Sequence, residues 1–173
     1  MSTRACIAFE TDPGGDWRGR YHHSDGYPSG LGRTLFDLAR RWDFDRMRRT
    51  LFEEHTGWSS INGANWDAPI GFNSKRLCAL CGISLFDHRT VETTPCKHEW
   101  SRGPACYCHG DRSEEGWIVE PKDMDDSDME WCYIVRGRRM DVHRIGYQRG
   151  LSPLLISVDL DQPEPDWDAI ERA

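Results

Sequence analysis

Between residues 78 and 109 the chain carries five cysteines (Cys78, Cys81, Cys96, Cys106, Cys108) and three histidines (His88, His98, His109). That density limits how the segment can fold. It holds few apolar residues, so burial alone cannot shape it, whereas thiolates and imidazoles gathered on one ion can. Cys78-Ala79-Leu80-Cys81-Gly82 opens the cluster: the two-residue gap lets both sulfurs meet one tetrahedral ion, and Gly82 lets the backbone turn beneath them. A tetrahedral ion takes four donors. Cys78 and Cys81 supply two, and the second pair stays open among Cys106 with Cys108 and His109, Cys96 with His98, and mixtures of these, with a two-ion cluster of all eight groups as the rarer alternative. His88, between Asp87 and Arg89, reads as a surface histidine. Sulfur dominates the set, which points to structural zinc rather than a catalytic ion with an open position. Such an ion contributes roughly 10–16 kcal/mol of apparent folding free energy where it binds.

A chain of 173 residues has room for one domain with a modest insertion. We therefore read residues 1–173 as a single domain, 74–112 as a zinc-binding insertion and 161–173 as an acidic, loosely docked C-terminal tail. Seven cysteines are an odd count, and they cluster with histidines, which favours a reducing compartment over a disulfide framework. Cys6 and Cys132 lie in strand-like runs and read as buried thiols. No apolar run approaches the roughly 18 residues of a membrane span, and the chain opens without a basic, apolar leader, so a cytoplasmic protein is expected. A formal net charge of −7 argues against a protein built to grip nucleic acid. The arginines at 40, 41, 46, 48 and 49, and at 136, 138, 139 and 144, read as a solvated helix face and a charged hairpin tip.

Periodicity supplies the elements. Arg4 to Glu10 alternates, Asp12-Pro13-Gly14-Gly15 breaks it, and Trp17, Gly19 and Tyr21 resume the two-residue period, which predicts a β-hairpin from Ala5 to His23. Leu31, Leu35, Leu38 and Trp42 are spaced for a helix. A second helix is expected from Asp43, an N-cap, through Phe44, Met47 and Leu51 to a stop at Gly57. Late strands are expected at Trp117-Ile118-Val119, at Trp131 to Val135, returning through Met140 and Val142 after a turn at 136–139, and at Leu154 to Leu160. With strands at both ends and helices grouped between them, the pattern predicts an α+β domain with a mostly antiparallel sheet, two helices and an inserted zinc-stabilised loop.

Tyr21-His22-His23-Ser24-Asp25-Gly26-Tyr27-Pro28 is the second notable feature. Two imidazoles at a strand end and a carboxylate two residues on are acid/base components, and Ser24 offers a hydroxyl. The simpler reading makes Asp25-Gly26 a turn and packs Tyr27 on the first helix. Taken with Thr3-Arg4-Ala5, the hairpin, Gly30, Gly32 and the leucine helix, this motif resembles a family of small uncharacterised bacteriophage and prophage proteins with an HWDGYP-like motif. The likeness covers about residues 3 to 61, and Ser24 stands where the family has tryptophan. The resemblance implies a phage accessory protein that binds a host component. A loop of His22, His23, Asp25 and Tyr27 would then capture a small anionic, nucleotide-like immune signal, an anti-defence role without catalysis. The alternatives are a hydrolase using His23 and Asp25, and a zinc-stabilised module that inhibits a host protein.

Overall fold

The computed structural model describes residues 3–67, 70–72, 103–108, 118–124, 128–146 and 150–173. Within them the chain is an α+β protein. Its elements run β1 (Ala5–Glu10), β2 (Trp17–His22), α1 (Arg33–Arg41), α2 (Phe44–Arg48), β3 (Trp58–Ser60), β4 (Gly71–Phe72), β5 (Ala105–Cys106), β6 (Trp131–Arg136), β7 (Arg139–Gly146), β8 (Gly150–Asp159) and α3 (Trp167–Arg172). The strands form one sheet in the order β4-β5-β3-β2-β1-β6-β7-β8.

The sheet is mixed, which corrects the expected mostly antiparallel arrangement. The hairpins β1–β2, β6–β7 and β7–β8 are antiparallel. At the centre, however, β1 runs parallel to β6, with Ala5 opposite Trp131, and β2 runs parallel to β3. β4 and β5 are parallel as well. A short turn announces an antiparallel pair in the sequence, while a parallel pair needs a long crossover. Here α1 and α2 form the crossover from β2 to β3. Val119, expected in a strand, makes only an isolated bridge to Gly19.

Both faces of β1 are covered, as its apolar run requires. Ala5, Ile7 and Phe9 join the main core with Leu35, Phe36, Met47, Leu51 and Tyr133. Cys6 and Ala8 face the other way into a smaller core with Trp17, Met124, Met129, Cys132 and Ile134. Gly19 permits this close packing: a Cβ there would lie 2.4 Å from the Cys6 Sγ and 2.7 Å from the Ile7 carbonyl oxygen.

The helices bury the predicted stripe, with Leu35, Phe36, Leu38 and Ala39 inward on α1. A π-helical turn at Pro28–Gly32 leads into α1. Asp43 caps α2 by accepting from the Arg46 amide at 2.7 Å. The helical path continues through a second π-helical turn, Arg49–Glu53, and ends there rather than at Gly57. Gly57 instead enters β3, its carbonyl accepting from the Tyr107 amide at 3.0 Å. The Trp58 indole nitrogen donates to the Leu51 carbonyl at 2.9 Å, tying the helical end to that strand.

Residues 161–173 are not a loosely docked tail. Asp166 caps α3 through the Ala169 amide, Trp167 and Ile170 are buried in the main core, and Trp167 meets Phe36 edge-on with ring centroids 5.9 Å apart. Trp167 and Ile170 are the only possible anchors the sequence offers in this stretch, and the core takes both. No helix of the described residues is long and apolar enough to cross a membrane.

Candidate metal centre

At the β3 side of the sheet, Cys106 lies opposite Trp58 on an antiparallel pairing. The ladder carries on past β5, since Tyr107 donates to the Gly57 carbonyl. The chain bends at Tyr107 and Cys108, directly after β5, and this turn brings the Cys108 sulfur back beside that of Cys106. The Tyr107 ring sits 6.3 Å from that of Tyr21. The sulfurs of Cys106 and Cys108 are 3.3 Å apart.

His55 completes the group. It lies in the loop between the helical turn and β3, is buried, and packs on Trp58 with ring centroids 4.7 Å apart. Its Nδ1 is 3.2 Å from the Cys108 Sγ. The ligand atoms of His55, Cys106 and Cys108 all lie within 4.8 Å of one another, close enough to hold a metal ion. Zinc–sulfur bonds of about 2.3 Å would place two tetrahedral sulfurs about 3.8 Å apart. The 3.3 Å between the two sulfurs is shorter than that edge. It is far longer than the disulfide bond of about 2.05 Å. Two sulfurs and one imidazole suit zinc, a borderline-soft ion.

Of the ligands expected from the sequence, Cys106 and Cys108 are thus brought together, while Cys78, Cys81, Cys96 and His98 lie outside the described residues. His55 was not among the expected ligands. Its only local signal is a histidine at a helix-to-strand junction, outside the apolar pattern of either element, and the β3–β5 pairing is what carries it to the cysteines. The segment read as an insertion, 74–112, is also less separate than expected, because β5 within it pairs with β3 and β4.

Next to the centre, Arg20 lies on β2. Burial lowers its guanidinium from the ordinary value, and the nearby Cys108 sulfur pulls the other way. Its Nε donates to the Phe52 carbonyl at 2.9 Å, and the guanidinium sits 5.1 Å from the centre of the Phe52 ring.

The HHSDGYP segment forms a turn packed against β1 and β3. His22 ends β2 fully buried, and its Nε2 accepts from the Ile61 amide at 3.3 Å. His23 lies on the other side with Tyr21, whose hydroxyl is 2.7 Å from the His23 Nδ1. The two imidazoles therefore point apart. Asp25 adopts φ 56°, and its carbonyl accepts from the Asn62 side chain at 2.8 Å. Gly26 donates to Thr3 and accepts from the Tyr133 hydroxyl at 2.8 Å. A Cβ on Gly26 would fall 2.7 Å from that of Ala5, so the turn fits against β1 only with glycine. Tyr27 is half-buried against the main core, its phenol pushed up chiefly by the Asp25 carboxylate.

The arginine clusters are largely engaged within the protein. Arg40 and Arg46 lie over Phe36 and Trp42, while Arg48 and Arg49 pair with Glu53 and Glu54. At the other cluster Arg136 bridges Glu10 and Asp141, Arg138 pairs with Asp161, and Arg144 lies over Trp131. A cleft of about 630 Å³ beside the β1–β2 loop is lined by Asp12, Asp16, Trp17, Arg18, Glu120 and Lys122, among others. Its cations are paired internally, Arg18 and Lys122 both meeting Glu120 at 2.9 Å.

No family profile, curated protein or solved structure matches the chain.

Proposed function

We propose that this is a non-enzymatic, phage-type accessory protein that binds a host protein, its cysteine-rich segment pinned to the sheet by structural zinc. The observation that carries this reading is the convergence of His55 with Cys106 and Cys108. These donors join the helix-to-strand loop to the strand that leads out of the cysteine-rich segment. The phage setting rests on the resemblance of the HHSDGYP region alone. With three donors supplied here, a tetrahedral ion has one position left for Cys78, Cys81, Cys96 or His98. A single such ion cannot also take both cysteines of the CxxC pair.

The anionic-signal reading draws less support, because His22 and His23 point apart and most of the clustered arginines are already engaged. The hydrolase reading draws less for a related reason: His23 meets Tyr21, not Asp25, through its Nδ1. Both remain decidable by titration with nucleotides and by turnover assays on His23→Ala.

Protein purified without added metal should carry zinc by native mass spectrometry, and His55→Ala or Cys108→Ala should reduce that content. Binding to a cognate host protein should then be lost on deletion of residues 74–102, a deletion that spares β5, with the circular dichroism of the sheet retained. Metal-free protein as isolated would sink the staple, and unchanged binding by the deletion would sink the docking role.

A further inference from the structure

We propose that the same centre is a redox switch: hydrogen peroxide oxidises Cys108, Cys106 captures it as a disulfide, and the ion is released. This rests on the reading of His55, Cys106 and Cys108 as a metal site. The chemistry balances with the peroxide as the named oxidant. The Cys108 sulfur attacks one peroxide oxygen, the O–O bond breaks, and sulfenic acid forms while hydroxide leaves to be protonated to water. The Cys106 sulfur then attacks the Cys108 sulfur, forming the S–S bond and breaking the S–O bond, and the second oxygen leaves as water. Two electrons pass from the sulfurs to the peroxide. The ion loses two of its donors in one event, and a site left with His55 from this group cannot retain zinc.

Three observations support this order of events. The sulfurs are already 3.3 Å apart, closer than a tetrahedral edge, so capture requires only a further local approach. Access is unequal: Cys106 is fully buried against the core, whereas Cys108 is partly exposed, which makes Cys108 the sulfur that meets the oxidant and Cys106 the resolving one. The other described cysteines, Cys6 and Cys132, are neighbours in register on adjacent strands, and both are fully buried. They serve as an internal control that shares the chain but not the access.

The test uses the full chain, zinc-loaded, treated with hydrogen peroxide while a chromogenic chelator reports released zinc. Trypsin then yields a peptide of residues 103–112, bounded by Arg102 and Arg112, that carries Cys106 and Cys108 and no other cysteine. This peptide should escape alkylation and lose about 2 Da as two thiols become a disulfide. Zinc release should follow the same time course, and dithiothreitol with added zinc should reverse both. A zinc-loaded protein whose 103–112 peptide stays alkylatable overturns the switch alone, as does oxidation falling on Cys6 and Cys132 instead. Closure of the peptide with zinc still bound also overturns it. A protein that carries no zinc before peroxide is added overturns the underlying metal reading.

Discussion

The two halves of the sheet are built differently. From β2 through β1, β6, β7 and β8 the strands are six to ten residues long. Their centre is covered on both faces by apolar side chains. On the other side β3, β5 and β4 are two or three residues each among the described residues, and His55 and Cys108 sit beside them. The long half is held by burial. The short half shares that burial through Trp58, Ile61 and Cys106, and a few donors around one ion can add a local constraint to it.

Metal removal should therefore divide the molecule most sharply. In zinc-depleted protein, hydrogen exchange should accelerate at Tyr107 and across 57–60, with local opening falling toward the level of a mobile loop, while β6 and β7 keep their protection. Equal loss in both halves would show that the ion supports the whole fold. The next largest effect lies at the other end. Trp167→Ala should cost about 3–5 kcal/mol by denaturant unfolding, since it empties a fully buried aromatic site. A cost near zero would restore the loosely docked tail. Within the long half, Gly19→Ala should cost about 1–3 kcal/mol, because the added methyl meets Cys6 and the backbone of Ile7. Asp43→Ala should cost about 1 kcal/mol, the loss of one N-cap.

The smallest effect is a pH dependence beside the centre. Burial pushes the Tyr21 phenol up to about 12, with Arg4 acting against it and Tyr107 and Asp128 adding to it. An acid whose folded value is raised gives stability that is complete below its unfolded value, near 10, and fades as the pH climbs toward 12. Unfolding free energy should thus fall over that window, and Tyr21→Phe should flatten part of the slope. An unchanged slope would place the burial of this side of β2 in doubt.

The chain's local patterns give the hairpin, both main helices and the Asp43 cap directly, because each depends on neighbours a few residues apart. The parallel β1–β6 pairing has no such signature. Ala5 and Trp131 meet only after everything between them has folded. Likewise the tail's acidic residues speak of solvent, while Trp167 and Ile170 speak of burial, and only a core with room for them decides between the two.

The candidate site divides along the same line. Cys106 and Cys108 are legible in the sequence as one of several candidate second pairs, because cysteines two apart beside histidines suit a shared ion. His55 is not legible, since its role depends on β3 pairing with β5. The HHSDGYP motif is conspicuous as a sequence, yet adjacent residues of an extended strand face opposite ways, so its two imidazoles end on different sides. The sequence by itself determined the α+β class, the helical stripe and Cys106 and Cys108 as candidate donors, all of them consequences of period and composition. Only the tertiary structure decided the parallel centre of the sheet, the docking of the C-terminus and the histidine that joins the cysteines. Those depend on contacts between distant segments, which no local spacing records.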